Sequence, residues 1–183
     1  MADEGLEDNG NAAPRLRFRS VLFICAANTA RSVMAEYIMK RELEARGLGE
    51  QVVVRSAGIA PYARDGSLVS LDTRITLRED GIDISDEAKS ISLRRHPEML
   101  AQADLILAMT EKQALDLRKN FMDGSERPVY TLREFAGEKG DIEDPWLEGL
   151  EVWVACREEI KRLVPAVIDR MQENVATRAD DLP

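Results

Sequence analysis

Apolar and polar positions divide the chain into two alternating kinds of segment. Between Phe18 and Cys25 the residues Val21, Leu22, Phe23 and Ile24 form a short, continuous, β-prone apolar run, the pattern of a strand covered on both faces. A polar turn at Asn28 and Thr29 follows. Then Ala35, Met39 and Leu43 recur four residues apart with charges between them, which predicts an amphipathic helix over 31–46, closed by Gly47. The same reading predicts further strands over 51–56, 104–109 and 128–131, and helices over 68–80 and 111–119. A last helix is expected over 150–175, where Trp153, Cys156, Ile160, Leu163, Val167 and Met171 form a packing face. Pro165 removes one backbone donor there and is expected to kink this helix or divide it in two.

Strands separated by helices of this length imply right-handed crossovers and a parallel sheet covered on both faces, an α/β, doubly wound architecture. The 183 residues contain no repeat and suit a single domain. Residues 1–15 are acidic and polar and are expected to form a disordered tail, and 176–183 are expected to fray. The folded domain is therefore expected over 16–175.

Charge narrows the partners. A net charge of -9 disfavours nucleic acid and anionic membrane, both of which present negative charge, and leaves a small or protein substrate. No run of about eighteen apolar residues and no secretory leader pattern occurs, so a cytoplasmic protein is expected. Two cysteines, Cys25 and Cys156, are too few for a disulfide framework, and with the single His96 they give no zinc-ligand spacing.

Cys25 ends the first strand at the mouth of a helix, the edge where open α/β sheets bind ligands. Backbone N–H groups of the loop Ala26, Ala27, Asn28, Thr29 and Ala30, with the positive end of the following helix, would cradle an anion and favour a thiolate. Arg31 follows Cys25 by six positions, and its planar fork can bind two phosphoryl oxygens while the thiolate attacks phosphorus in line. Ser32 can donate to the sulfur. The spacing alone is not specific; its place between a strand and a helix gives it weight. The alternative for Cys25 is a small apolar core residue, which is the favoured reading for Cys156 on the last helix. For the leaving-group proton, His96 lies between Arg95 and Pro97 in a solvated loop and is a poor candidate. Among Asp141, Glu143 and Asp144, the last stands out because Pro145 stiffens the chain and Trp146 can shield it. An ordinary Asx-Pro turn fits the same residues equally well.

Residues 21–36, Val-Leu-Phe-Ile-Cys-Ala-Ala-Asn-Thr-Ala-Arg-Ser-Val-Met-Ala-Glu, resemble the phosphate-loop signature of the low-molecular-weight protein tyrosine phosphatases. Ser56-Ala57-Gly58, the segment 103–109 and Asp144-Pro145 resemble further family landmarks in the family's order, so the likeness spans about residues 18 to 172. The resemblance implies a flavodoxin-like four-stranded parallel sheet, no metal or cofactor, and a phosphocysteine intermediate on Cys25 hydrolysed by water. It implies that Arg31 and the loop 26–32 hold inorganic phosphate or another oxyanion, with a phosphorylated protein or peptide as substrate. Asp144 is then the general acid and base, Asn28 holds the loop in a left-handed conformation, Ser32 assists the thiolate, and Tyr62 and Trp146 wall the cleft. Two positions depart from the family. Ala27 stands where members usually carry Gly, which is expected to lower activity. Ala30 stands where many carry a second cysteine, so oxidised Cys25 is expected to lack that rescue.

Thr29, together with 129–135 and 140–146, resembles the family's bacterial protein arginine phosphatase branch, although that branch's usual Thr after the nucleophile is Ala26 here. Phosphotyrosine is placed ahead of phosphoarginine. Arsenate reductases share the fold, but the thioredoxin-linked kind needs two further cysteines, where only Cys156 remains. An inactive phosphate-binding module is the remaining alternative, motivated by the loop alanines and opposed by the presence of Cys25, Arg31 and Asp144.

Overall fold

The computed structural model describes residues 16–122, 124 and 127–172. The expected tails at 1–15 and 176–183, and the end of the last helix at 173–175, lie outside the described residues. The elements are β1 (Ser20–Cys25), α1 (Arg31–Ala45), β2 (Val53–Gly58), α2 (Leu71–Glu79), α3 (Glu98–Gln102), β3 (Leu105–Ala108), α4 (Glu111–Phe121), β4 (Val129–Thr131), α5 (Leu132–Phe135) and α6 (Leu150–Gln172). Four parallel strands pair in the order β2-β1-β3-β4.

Alternation along the two central strands separates two cores. Val21, Phe23, Leu105 and Leu107 pack on one face with side chains of α1, α2, α5 and α6, such as Met39, Leu77, Phe135 and Ile160. Leu22, Ile24, Ile106 and Ala108 pack on the other with Met99, Leu100, Ala114 and Leu117 of α3 and α4. Both faces of β1 and β3 are apolar because both are covered, which is why those strands read as unbroken apolar runs. The expected flavodoxin-like, doubly wound α/β domain is the architecture found.

Boundaries moved where tertiary contacts override local pattern. β2 runs two residues beyond the expected 51–56, because Ala57 and Gly58 pair in register with Ile24 and Cys25. α2 starts at Leu71, not at 68: Leu68 forms a bridge with Lys89, and the N–H of Ser70 donates to the Thr29 carbonyl, so 68–70 are extended. α6 is one undivided helix through Pro165. The carbonyl that Pro165 leaves unbonded belongs to Lys161, on the exposed side of the helix, where water can take the bond. Two short helices, α3 and α5, carry no periodicity long enough to be read. α5 is set by a capping box, in which the Thr131 hydroxyl accepts from the Glu134 N–H while the Glu134 carboxylate accepts from the Thr131 N–H.

Candidate active site

The loop from Ala26 to Ala30 is held from outside by its carbonyls. The Cys25 carbonyl accepts from the Ile59 N–H at 3.1 Å, Ala26 from Ala60 at 3.0 Å, and Thr29 from both the Ser70 N–H and the Thr73 hydroxyl at 3.0 Å. With those carbonyls turned outward, the Asn28 N–H turns inward and donates to Cys25 Sγ at 3.2 Å. The N–H groups of Ala27, Thr29 and Ala30 have no partner among the described residues. This is the geometry of an anion cradle around the Cys25 sulfur.

Asn28 takes φ +60°, the left-handed conformation expected of it. Its side chain ties the loop to β2 and α1, and the direction of every hydrogen bond follows from one fixed point. The Ile91 backbone N–H can only donate, and it reaches Asn28 Oδ1 at 2.8 Å, so the other amide atom is Nδ2. Nδ2 donates to Ser32 Oγ at 3.0 Å and Ser56 Oγ at 2.8 Å. Ser56 passes its own hydrogen to Glu36 Oε2 at 2.5 Å. Ser32, already an acceptor, is left with its hydroxyl hydrogen for Cys25 Sγ, 2.9 Å away. A chain of polar groups anchored on the Glu36 carboxylate thus ends in a donor aimed at the sulfur, the arrangement that stabilises a thiolate.

Ala27 is not in the left-handed region, where among non-glycine residues only Asn28 and Leu147 fall within the described chain. An alanine therefore fits that loop position without backbone strain. The tight approach lies elsewhere: a Cβ on Gly58 would stand 2.8 Å from the Ala26 carbonyl oxygen and 2.8 Å from the Ala27 carbonyl carbon. Gly58 is the residue the sequence marked only as a landmark; its steric reason is this contact with the loop.

Arg31, at the first turn of α1, is 4% exposed. Its Nη1 donates to the Ile142 carbonyl at 2.9 Å, and its Nη2 forms an ion pair with Asp144 Oδ2. Asp144 is brought there by the loop after α5, which is itself fixed to the sheet. The Ile142 N–H donates to the Met109 carbonyl at 2.9 Å, and Asp141 Oδ1 accepts from the Glu111 N–H at 2.8 Å. Asp144 Oδ1 also accepts from the Trp146 N–H at 3.3 Å. The Asx turn and the acid facing Arg31 are therefore the same residue in two roles, through its two oxygens.

Cys25, Ala26, Ala27, Thr29, Ala30, Arg31, Tyr62, Asp144 and Trp146 all line one cleft of about 820 Å³. Asn28 and Ser32 lie behind the loop, fully buried. Tyr62 and Trp146 are 65% and 60% exposed at the cleft. The sequence reading missed the rest of the wall, Arg64, Ser67 to Leu71 and Arg74, because these residues sit in a loop and at the start of a helix with no motif. His96 does not line the cleft. It bonds Asp65 and Glu98, at 3.2 and 3.1 Å. Cys156 packs in the core on α6, and burial pushes its thiol up to about 12.

The sequence matches the family described as low molecular weight phosphotyrosine protein phosphatase over residues 20–177. It is 30% identical to a protein-arginine-phosphatase of Geobacillus stearothermophilus, covering 83% of this chain and 95% of that protein. It is also 30% identical to the low-molecular-weight protein-tyrosine-phosphatase PtpB of Staphylococcus haemolyticus, over 79% of this chain and 94% of that one. A solved low-molecular-weight protein tyrosine phosphatase from T. tengcongensis superposes with a TM-score of 0.75 at 35% identity, covering 83% of this chain and 99% of its own. With a cysteine at the expected strand end and these relatives on either side of the substrate divide, the chain belongs to the low-molecular-weight protein tyrosine phosphatase family and is a phosphoprotein phosphatase.

Proposed function

We propose that the protein hydrolyses phosphotyrosine in protein substrates through a phosphocysteine intermediate. The observation that carries the chemistry is the convergence on Cys25 Sγ of the Ser32 hydroxyl and the Asn28 N–H, in the same cleft as Arg31 and Asp144. The phosphoryl group takes the Arg31 fork and displaces the Asp144 carboxylate from it. Once displaced from Arg31, the Asp144 carboxylate takes up a proton from solvent; the Cys25 thiolate then attacks phosphorus, the bond to the phenolic oxygen breaks, and Asp144 gives that proton to the oxygen. Asp144, now ionised, accepts a proton from water as that water attacks phosphorus. The sulfur–phosphorus bond breaks, phosphate leaves and the thiolate is restored. Ser32 stabilises the departing sulfur. Tyr62, Leu71 and Trp146 give the cleft an aromatic and aliphatic lining suited to a phenyl ring.

Phosphoarginine is the second reading, favoured by Thr29 in the cleft and by the arginine phosphatases among the relatives. Arsenate reduction finds no support in Cys156, whose thiol is buried and held protonated. Among the described residues no helix is long and apolar enough to cross a membrane, which accords with a cytoplasmic enzyme. The folded domain is proposed to span 16–175. The test is phosphate release from matched phosphotyrosine and phosphoarginine peptides, with Cys25→Ser as blank. Faster release from tyrosine supports the first reading, and faster release from arginine replaces it with the second. Tight binding of either peptide without release reduces the protein to an inactive phosphate-binding module.

A further inference from the structure

The protein carries a net charge of -9, yet its cleft is lined by three arginines, Arg31, Arg64 and Arg74, against one carboxylate, Asp144. Arg31 pairs with Asp144 and Arg74 with Asp86, so the uncompensated charge among the described lining residues is that of Arg64, with Ser67 and Ser70 between Arg64 and Arg74 in sequence. Arg64 is exposed, and its guanidinium has no hydrogen bond or ion pair among the described residues. The segment that carries it is nevertheless fixed. The Arg64 carbonyl accepts from the Ser90 hydroxyl at 2.7 Å, the Gly66 N–H donates to the Ser90 carbonyl at 3.0 Å, and the Ser67 N–H donates to Ser90 Oγ at 3.2 Å. The neighbouring acid does not neutralise this wall. Asp65 is drawn to the other side of its loop, where Oδ1 accepts from the Ser92 N–H at 2.7 Å and Oδ2 meets His96. Arg74 is braced by Asp86, at 2.6 Å to Oδ1 and 2.7 Å to its carbonyl, while its buried Nε has no partner.

A free cation held on a rigid loop beside a phosphate site is positioned for a second anion. We propose that Arg64 forms a subsite that reads a carboxylate side chain next to the phosphorylated residue of the substrate. This inference rests on the phosphatase reading above. The subsite selects acidic sequence context, and it does so largely through the charge of Arg64, since Arg74 is paired with Asp86, so its effect is salt-dependent.

The test compares kcat/KM for three peptides sharing one phosphorylated residue and flanked by Glu, Ala or Lys, each divided by kcat/KM for a small aryl phosphate that has no flanks. The series is run with phosphotyrosine and with phosphoarginine at the centre. The expected order is Glu, then Ala, then Lys, with about two- to five-fold between successive peptides at low salt and little difference near about 0.5 M salt. Arg64→Ala should remove most of the Glu preference from this ratio, and Arg64→Glu should invert it. Equal ratios for the three peptides, or a Glu preference that survives Arg64→Glu, overturn the subsite while leaving the phosphatase reading standing. Hydrolysis of neither the peptides nor the aryl phosphate overturns both.

Discussion

Arg31 and Asp144 stand 113 positions apart in the chain and meet as an ion pair at the mouth of the cleft. Arg31 uses one nitrogen for this and a second for the Ile142 carbonyl two residues earlier, so it fixes the backbone of the acid loop as well as its carboxylate. The same carboxylate is therefore both the proposed proton donor and a competitor for the fork proposed to bind phosphate.

Asp144→Asn separates those two roles. Loss of the proton donor should lower kcat on aryl phosphates with poor leaving groups by about 100-fold or more. Loss of the competing charge should at the same time strengthen inhibition by inorganic phosphate. Steady-state kinetics with phosphate as inhibitor measures both, and weaker phosphate inhibition in the variant would contradict the competition.

Gly58→Ala should damage catalysis more than folding. The new methyl group meets backbone atoms of Ala26 and Ala27 at 2.8 Å, and the loop, not β2, is the part able to give way. A cost of about 1–3 kcal/mol in stability is expected from overpacking of this kind. kcat/KM should fall by at least about 10-fold, because shifting the proposed nucleophile, Cys25, by a fraction of an ångström is costly. Denaturant melts beside kinetics check the pair of effects; unchanged kinetics would mean that the loop does not move.

The two cysteines should differ in reactivity despite similar burial. With its thiol pushed up to about 12 by burial, Cys156 is almost wholly protonated at neutral pH. Iodoacetamide should label Cys25 first, and inorganic phosphate should slow that labelling. Without a cysteine at position 30, peroxide should carry Cys25 past the sulfenic acid to states that a mild thiol does not reverse. Full recovery together with a Cys25 to Cys156 bridge on mass analysis would refute this.

His96 gives a pH dependence of stability with a definite sign. Its hydrogen bond to Glu98, followed by the Asp65 contact, raises its pKa above 6.5. A raised folded-state value contributes stability that is fully present below pH 6.5 and is lost as pH rises through the folded value. Asp65 is lowered from 3.8, first by the Ser92 N–H and then by His96, and Glu98 from 4.5, first by its own N–H and then by His96. Their contributions are present above those ordinary values and lost in acid as pH falls through the lowered ones. His96→Gln should therefore flatten the decline of thermal stability on the alkaline side, with a melting series between pH 5 and 9 as the readout. An unchanged slope would show that these contacts do not carry it.

The sequence by itself determined the strands, the long helices and the loop that follows Cys25 at the strand end. Those features depend on neighbours within a few residues: an apolar run, a four-residue spacing, a cysteine at a strand end and an arginine at the next helix start. The same locality limited what could be read. That Asp144 faces Arg31 depends on the loop after α5 being tied to Met109 and Glu111, contacts across 33 and 30 positions. That Gly58 is the steric hinge of the loop depends on the parallel register with Cys25. The Ser56 and Glu36 anchors behind Asn28 come from β2 and α1, and the Arg64 wall comes from a segment without periodicity. Side-chain chemistry can be recognised along a chain, but direction and distance between groups come from packing, and only the folded sheet with its crossovers brings these groups to one edge.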